Sequence, residues 1–202
     1  MRECDREYEA RSIRVKGVEI RLCIHPRHVP SADRIGTLER TLELLPTAHL
    51  WVLNYGHIRL SHPGHIPHDG GGSDPAAWIR ISARSLAAAS TFSPTLLHES
   101  GHVMDYHYHA METLARTHPR LHKTLRETPH DGIRQFAGER FADCYMMYFL
   151  TQIAGLARPF KASPQAYQGA ARDTRFSALL STPAFNGWTG PLSHLRVPPE
   201  TQ

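Results

Sequence analysis

The stretch His98-Glu99-Ser100-Gly101-His102 constrains this chain more than any other, because its spacing has a physical meaning only on a helix. Histidines four residues apart lie on one helix face, one turn above each other. Their ring nitrogens can then meet one metal ion at about 2.0–2.1 Å. Glu99 is displaced around the helix and reaches a water beside the metal rather than the metal itself. The flanking residues agree. Ser93-Pro94 reads as a cap followed by a first-turn proline, which starts a helix over about 94–115. Leu96, Leu97, Val103 and Met104 give that helix a buried side. Gly101 costs about 1 kcal/mol in a helix interior, a cost that a close packing contact would explain.

Histidine is abundant here, 15 of 202 residues, so a chance match to HExxH has to be weighed. A catalytic zinc site needs a third protein ligand and an open position. A histidine six residues after His102 is excluded, since that position holds Tyr108, and the glycine wanted three residues after His102 is Asp105. His107 and His109 miss the spacing and read as exposed or packed side chains. An acid on a later helix remains. Glu139 and Asp143 lie four apart in a segment rich in Phe136, Ala142, Tyr145, Met146 and Phe149. An acid pair on so apolar a helix needs a partner. Glu139 reads as the third metal ligand. Asp143 reads as the acceptor of a ligating histidine's second N–H, the bond that fixes the imidazole tautomer.

The rest of the chain reads as α+β, with a small mixed sheet and a helical C-terminal part. Residues 1–12 are charged and read as a flexible N-terminus. Val18, Ile20, Leu22 and Ile24 alternate as a half-buried strand. Ser31 or Asp33 caps a helix reaching Leu45, where Pro46 stops it. Leu50–Leu53 and Ile58–Leu60 read as strands joined by a turn at Asn54-Tyr55-Gly56. Residues 63–75, with Gly64, Gly70, Gly71 and Gly72, read as a mobile flap. A phosphate-binding loop is excluded there, because no Lys-Ser/Thr follows. Trp78–Ser82 reads as a strand. Helices are predicted after Pro119, over about 133–150 and near 165–181. One domain spans 13–155, and 156–202 is a C-terminal extension packed on it.

Composition excludes little. The net charge of +4 is low, and the basic residues are dispersed, which argues against a nucleic-acid binder. No run of 18 apolar residues occurs, so no membrane partner is expected. No apolar signal region opens the chain, so the expected place is the cytoplasm, with export lacking a visible signal as the alternative. Cys4, Cys23 and Cys144 are odd in number and far apart; they form no CxxC pair and no disulfide framework, which points to a reducing compartment or indifference to redox. Cys144 beside Asp143 reads as a small buried hydrophobe, with zinc binding as the alternative. His57, His62, His65 and His68 cluster irregularly without a cysteine and read as loop residues rather than a second metal site.

The HExGHxxD stretch from His98 to Asp105, followed by Glu139 and Asp143, resembles the gluzincin-type metallopeptidases. It is most similar to the catalytic domain of the anthrax lethal factor-like family, which includes the Pro-Pro endopeptidases. The resemblance covers residues 13–150 and is firm over 94–105 and 139–143. It implies a zincin-like domain holding one Zn2+ by His98, His102 and Glu139, with Glu99 as general base and acid. Asp143 and Asp105 then support the ligands. It also implies an endopeptidase whose peptide or protein substrate pairs with the last strand before the active helix, Trp78, Ile79, Arg80 and Ile81. A monomer is expected. The family commonly carries an oxyanion-stabilising tyrosine shortly before the glutamate ligand. None occurs between Ala110 and Gly138, so His130 takes that role in this reading, with Arg134 as the alternative. A non-catalytic zinc-binding interaction module on the same scaffold is the other function the sequence allows.

Overall fold

Strand β2 (Val18–Ile24) keeps its alternating apolar residues on one face of a five-stranded sheet. In the computed structural model, which describes residues 4–60, 71–74, 78–87, 89–127 and 137–150, β1 (Glu9–Val15) pairs antiparallel with β2. Lys16 and Gly17 join them, both at positive φ (49° and 81°), as a tight hairpin requires. β3 (His57–Leu60) runs parallel to β2, and β5 (Trp78–Ile81) runs parallel to β3. β4 (Gly71–Asp74) closes the sheet antiparallel to β5, so the order is β1-β2-β3-β5-β4.

Ile20, Leu22, Ile24, Ile58, Leu60, Ile79 and Ile81 form the buried face. Against it pack α1 (Ala32–Leu42), α2 (Thr47–Tyr55) and α4 (Ala89–Tyr108), supplying Leu38, Leu42, Leu50, Leu53, Leu96 and Leu97. A short α3 (Ala83–Ala87) leads into α4. α5 (Ala110–Thr117) and α6 (Pro119–Glu127) follow, and α7 (Ala137–Tyr148) packs along α4. The architecture is α+β, as expected.

Several local expectations fail, each for a nonlocal reason. Residues 9–12 are not frayed. They belong to β1, whose outward positions are polar because it is an edge strand. Leu50–Leu53 is helical, part of α2; a short apolar run carries no period that separates a strand from a buried helix. Gly71 and Gly72 lie in strand β4, held by backbone pairing that needs no side-chain pattern. Pro94 lies inside α4 rather than at its start, and the Ser93 hydroxyl bonds Thr41 Oγ1 at 2.7 Å instead of capping. The helix predicted to reach 115 breaks at His109, whose φ is 48°.

Cys4 and Cys23 are joined by a disulfide, contrary to expectation. The sequence separation of 19 is bridged because residues 5–8 turn back, with the Tyr8 N–H donating to the Asp5 carbonyl at 2.9 Å. The same segment brings Asp5 to 2.9 Å from Arg59 Nη2. It therefore straps the sheet face opposite the helices. Cys144 is buried and takes no part in that disulfide. The glycine flap before residue 71, the C-terminal extension and the predicted helix near 165–181 lie outside the described residues. Among those residues no helix is long and apolar enough to cross a membrane.

Candidate metal centre

α4 turns the HExxH residues toward α7, and the histidines converge as their spacing demands. His98 Nε2 and His102 Nε2 are 3.1 Å apart. Glu139, in the first turn of α7, lays its carboxylate across both. Oε2 is 3.2 Å from His98 Nε2, and Oε1 is 3.3 Å from His102 Nε2. Among the described residues these three are the group whose donor atoms all lie within 4.8 Å of one another. Two imidazole nitrogens and a carboxylate this close together could hold one metal ion.

The electrostatics agree with that donor set. Burial pushes the Glu139 carboxyl up, but hydrogen bonds from His102 and His98 outweigh it and hold the group well below the usual carboxylate range. Glu139 is therefore an anion ready to ligate. Asp143, fully buried one turn later, sits with Oδ1 3.0 Å from His98 Nδ1. In the tautomer protonated on Nδ1, facing Asp143, His98 would offer its Nε2 lone pair to a metal in place of a bond to Glu139.

Two further features set the spacing of α4 and α7. Gly101 is where the helices cross. A Cβ there would lie 2.7 Å from Ala142 Cα and 3.1 Å from Tyr145 Cβ. The contact that the helix-interior glycine called for is therefore present. On the far side, His49 Nδ1 and the Tyr145 hydroxyl are 2.7 Å apart, tying α2 to α7 within the core. Burial pushes the His49 pKa down to about 3, so this ring is neutral.

Asp105 has a structural part beyond proximity to His102. Its Oδ1 accepts from the Met111 backbone N–H at 2.9 Å, satisfying a free donor at the start of α5. A Cβ on Gly138 would stand 3.4 Å from Asp105 Oδ2 and 3.8 Å from His102 Nδ1, so the three residues crowd one corner of the centre. Burial raises the Asp105 carboxyl, and the Met111 bond opposes that rise.

The strand expected to pair with substrate, β5, is not a sheet edge. β5 is interior, paired on both sides, and Ile79 and Ile81 are core residues. Trp78 and Arg80 point to the opposite face, where the Arg59 guanidinium lies 4.1 Å from the Trp78 ring centroid and that of Arg80 5.5 Å. Among the described residues β4 is an edge strand, and it approaches Glu99. A Cβ on Gly71 would lie 2.8 Å from Glu99 Cγ and 2.8 Å from Thr95 Cγ2. Only a glycine lets the backbone pass that close to Glu99. The sequence alone does not single out Gly71 or Thr95; the available signal is the run Gly70-Gly71-Gly72 shortly before Trp78.

His107 and His109 stay outside the centre, and His109 faces Glu112 at 3.8 Å. His57 is buried and accepts from Arg59 Nε at 2.8 Å. His130 and Arg134, the two expected oxyanion donors, lie outside the described residues, as do His62, His65 and His68. No protein-family description, curated protein or solved structure matches the chain.

Proposed function

We propose that the chain is a zinc-dependent endopeptidase built as a zincin-like domain, with one Zn2+ bound by His98, His102 and Glu139. The observation that supports this best is the convergence of three donor side chains from α4 and α7, with Glu99 on the same helix and the edge of the sheet beside it. Zinc in such a site supplies Lewis-acid chemistry, polarising a carbonyl and lowering the pKa of water from about 15.7 toward 7. Glu99 accepts the proton of the attacking water and returns it to the leaving amine nitrogen. Asp143 holds His98 in the ligating tautomer. An extended substrate adds to β4, which among the described residues pairs on one side only, with β5.

The test is metal analysis with a chelator-sensitive peptide-library digest of wild type and Glu99→Gln. One zinc per chain in both proteins is expected, with cleavage by the wild type alone. Cleavage by Glu99→Gln at the wild-type rate would refute the mechanism. The absence of a tyrosine between Ala110 and Gly138 favours a second reading, a zinc-binding interaction module without catalysis. Bound zinc with no cleavage of any peptide would select it.

A further inference from the structure

Gly72 leaves a gap in the edge strand, and one cation lies behind it. Gly72 and Arg80 are direct partners across β4 and β5, so both belong to the sheet face opposite α4. A Cβ on Gly72 would lie 3.9 Å from Arg80 Nε, so the arginine stem runs over the glycine. A bulky side chain at position 72 would stand against that stem. Arg80 Nε is buried without a hydrogen-bond acceptor, and Arg80 takes part in none of the ion pairs among the described residues. Its guanidinium rests near the Trp78 ring, 5.5 Å from the centroid, an apolar support, and its N–H groups meet no anion among the described residues. The neighbouring Arg59, by contrast, is bonded to Asp5 and His57.

We propose that Arg80, presented across Gly72, selects substrates that carry an acidic side chain. This rests on the peptidase reading and on strand addition at β4. In an added strand, side chains alternate between faces. The residue opposite Gly72 therefore points to the Arg80 face, while its neighbours point toward α4. Adjacent strands stand about 4.8 Å apart, so Arg80 is two strand spacings from the added peptide. With nothing on Gly72 between them, a glutamate and an arginine span that distance together. A carboxylate there gives the guanidinium the charge-assisted partner it lacks. A lysine at the same position meets a like charge in a half-buried setting.

The experiment compares zinc-loaded wild type on extended peptides differing only by Glu, Gln or Lys at successive positions. One position should favour Glu over Gln by about tenfold in kcat/KM, the low end for a bond to a charged group. Arg80→Gln should remove that ratio, and Arg80→Glu should reverse the order so that Lys leads. Gly72→Leu, which covers the arginine without removing it, should also remove the ratio. Each ratio is internal to one variant, so a general loss of activity cancels. Dissociation constants of the same peptides for Glu99→Gln should show the same order. Cleavage with no acidic preference, or a preference that survives in Arg80→Gln, overturns this assignment alone. If no peptide is either cleaved or bound, the peptidase reading falls and this assignment falls with it.

Discussion

Replacing Gly101 by alanine sets two physical effects against each other. Within an isolated helix, alanine is favoured over glycine by about 1 kcal/mol. In this protein the new methyl would lie 2.7 Å from Ala142 Cα, 3.1 Å from Tyr145 Cβ and 3.2 Å from Ala142 Cβ. Carbon atoms in good contact stand about 3.5–4.0 Å apart, so roughly 1 Å must be found. The obstructing atom is backbone, which rotamer changes cannot move. α7 must retreat as a body, against the His49–Tyr145 bond at its other side. Overpacking of this kind costs about 1–3 kcal/mol. The net expectation is a protein about 1 kcal/mol less stable than wild type, opposite in sign to helix propensity. The retreat also carries Glu139 and Asp143 away from His98, so zinc affinity should fall by about 10–100-fold, as when a supporting bond is lost. Urea denaturation of the metal-free protein gives the first quantity, and competition with a chelator gives the second. A Gly101→Ala protein that equals or exceeds wild-type stability and binds zinc unchanged would refute the packing argument.

Asp143→Asn should weaken zinc binding about 10–100-fold, since the amide cannot replace the carboxylate beside His98 Nδ1; chelator competition would show it, and unchanged affinity would count against the tautomer role. His49 ties stability to pH. Its folded pKa of about 3 lies below the unfolded value near 6.5, so the unfolded chain binds the extra proton between them. Stability should therefore decline as pH falls from about 6.5 toward 3, by up to several kcal/mol, and the decline should be shallower in His49→Phe. Equal slopes in urea titrations of the two proteins at pH 7, 5.5 and 4 would sink this. Opening the Cys4–Cys23 bond should cost about 3 kcal/mol in the chain-entropy picture for a loop of this length. The comparison is oxidised wild type against Cys4→Ser/Cys23→Ser, and identical urea midpoints would mean that residues 4–8 add no constraint.

The parts of the centre that were legible in the sequence are those governed by short-range geometry. His98 and His102 meet because four residues make just over one helical turn, and Glu139 and Asp143 share a face for the same reason. The glycine at 101 announced a close contact through its helix cost, although not its partner, Ala142. Boundaries were less legible. Pro94 looked like a helix start, yet α4 begins at Ala89 and Ser93 is engaged by Thr41 of another helix. His109 gives no sign in sequence that it will adopt a left-handed conformation and divide α4 from α5.

What the sequence determined by itself is therefore a pair of histidines on one helix face, an acid pair on a second helix, and an α+β order of elements. The tertiary structure alone decided which strand forms the edge, which cysteines join, and where Arg80 is presented. The physical reason is that strand order and disulfide pairing are made by contacts between residues far apart in the chain. A four-residue strand of Gly71, Gly72, Ser73 and Asp74 is held by backbone hydrogen bonds, which leave no pattern in the side chains. The absence of side chains at Gly71 and Gly72, which in sequence signals only a loop, lets that strand approach Glu99 on one face and open toward Arg80 on the other.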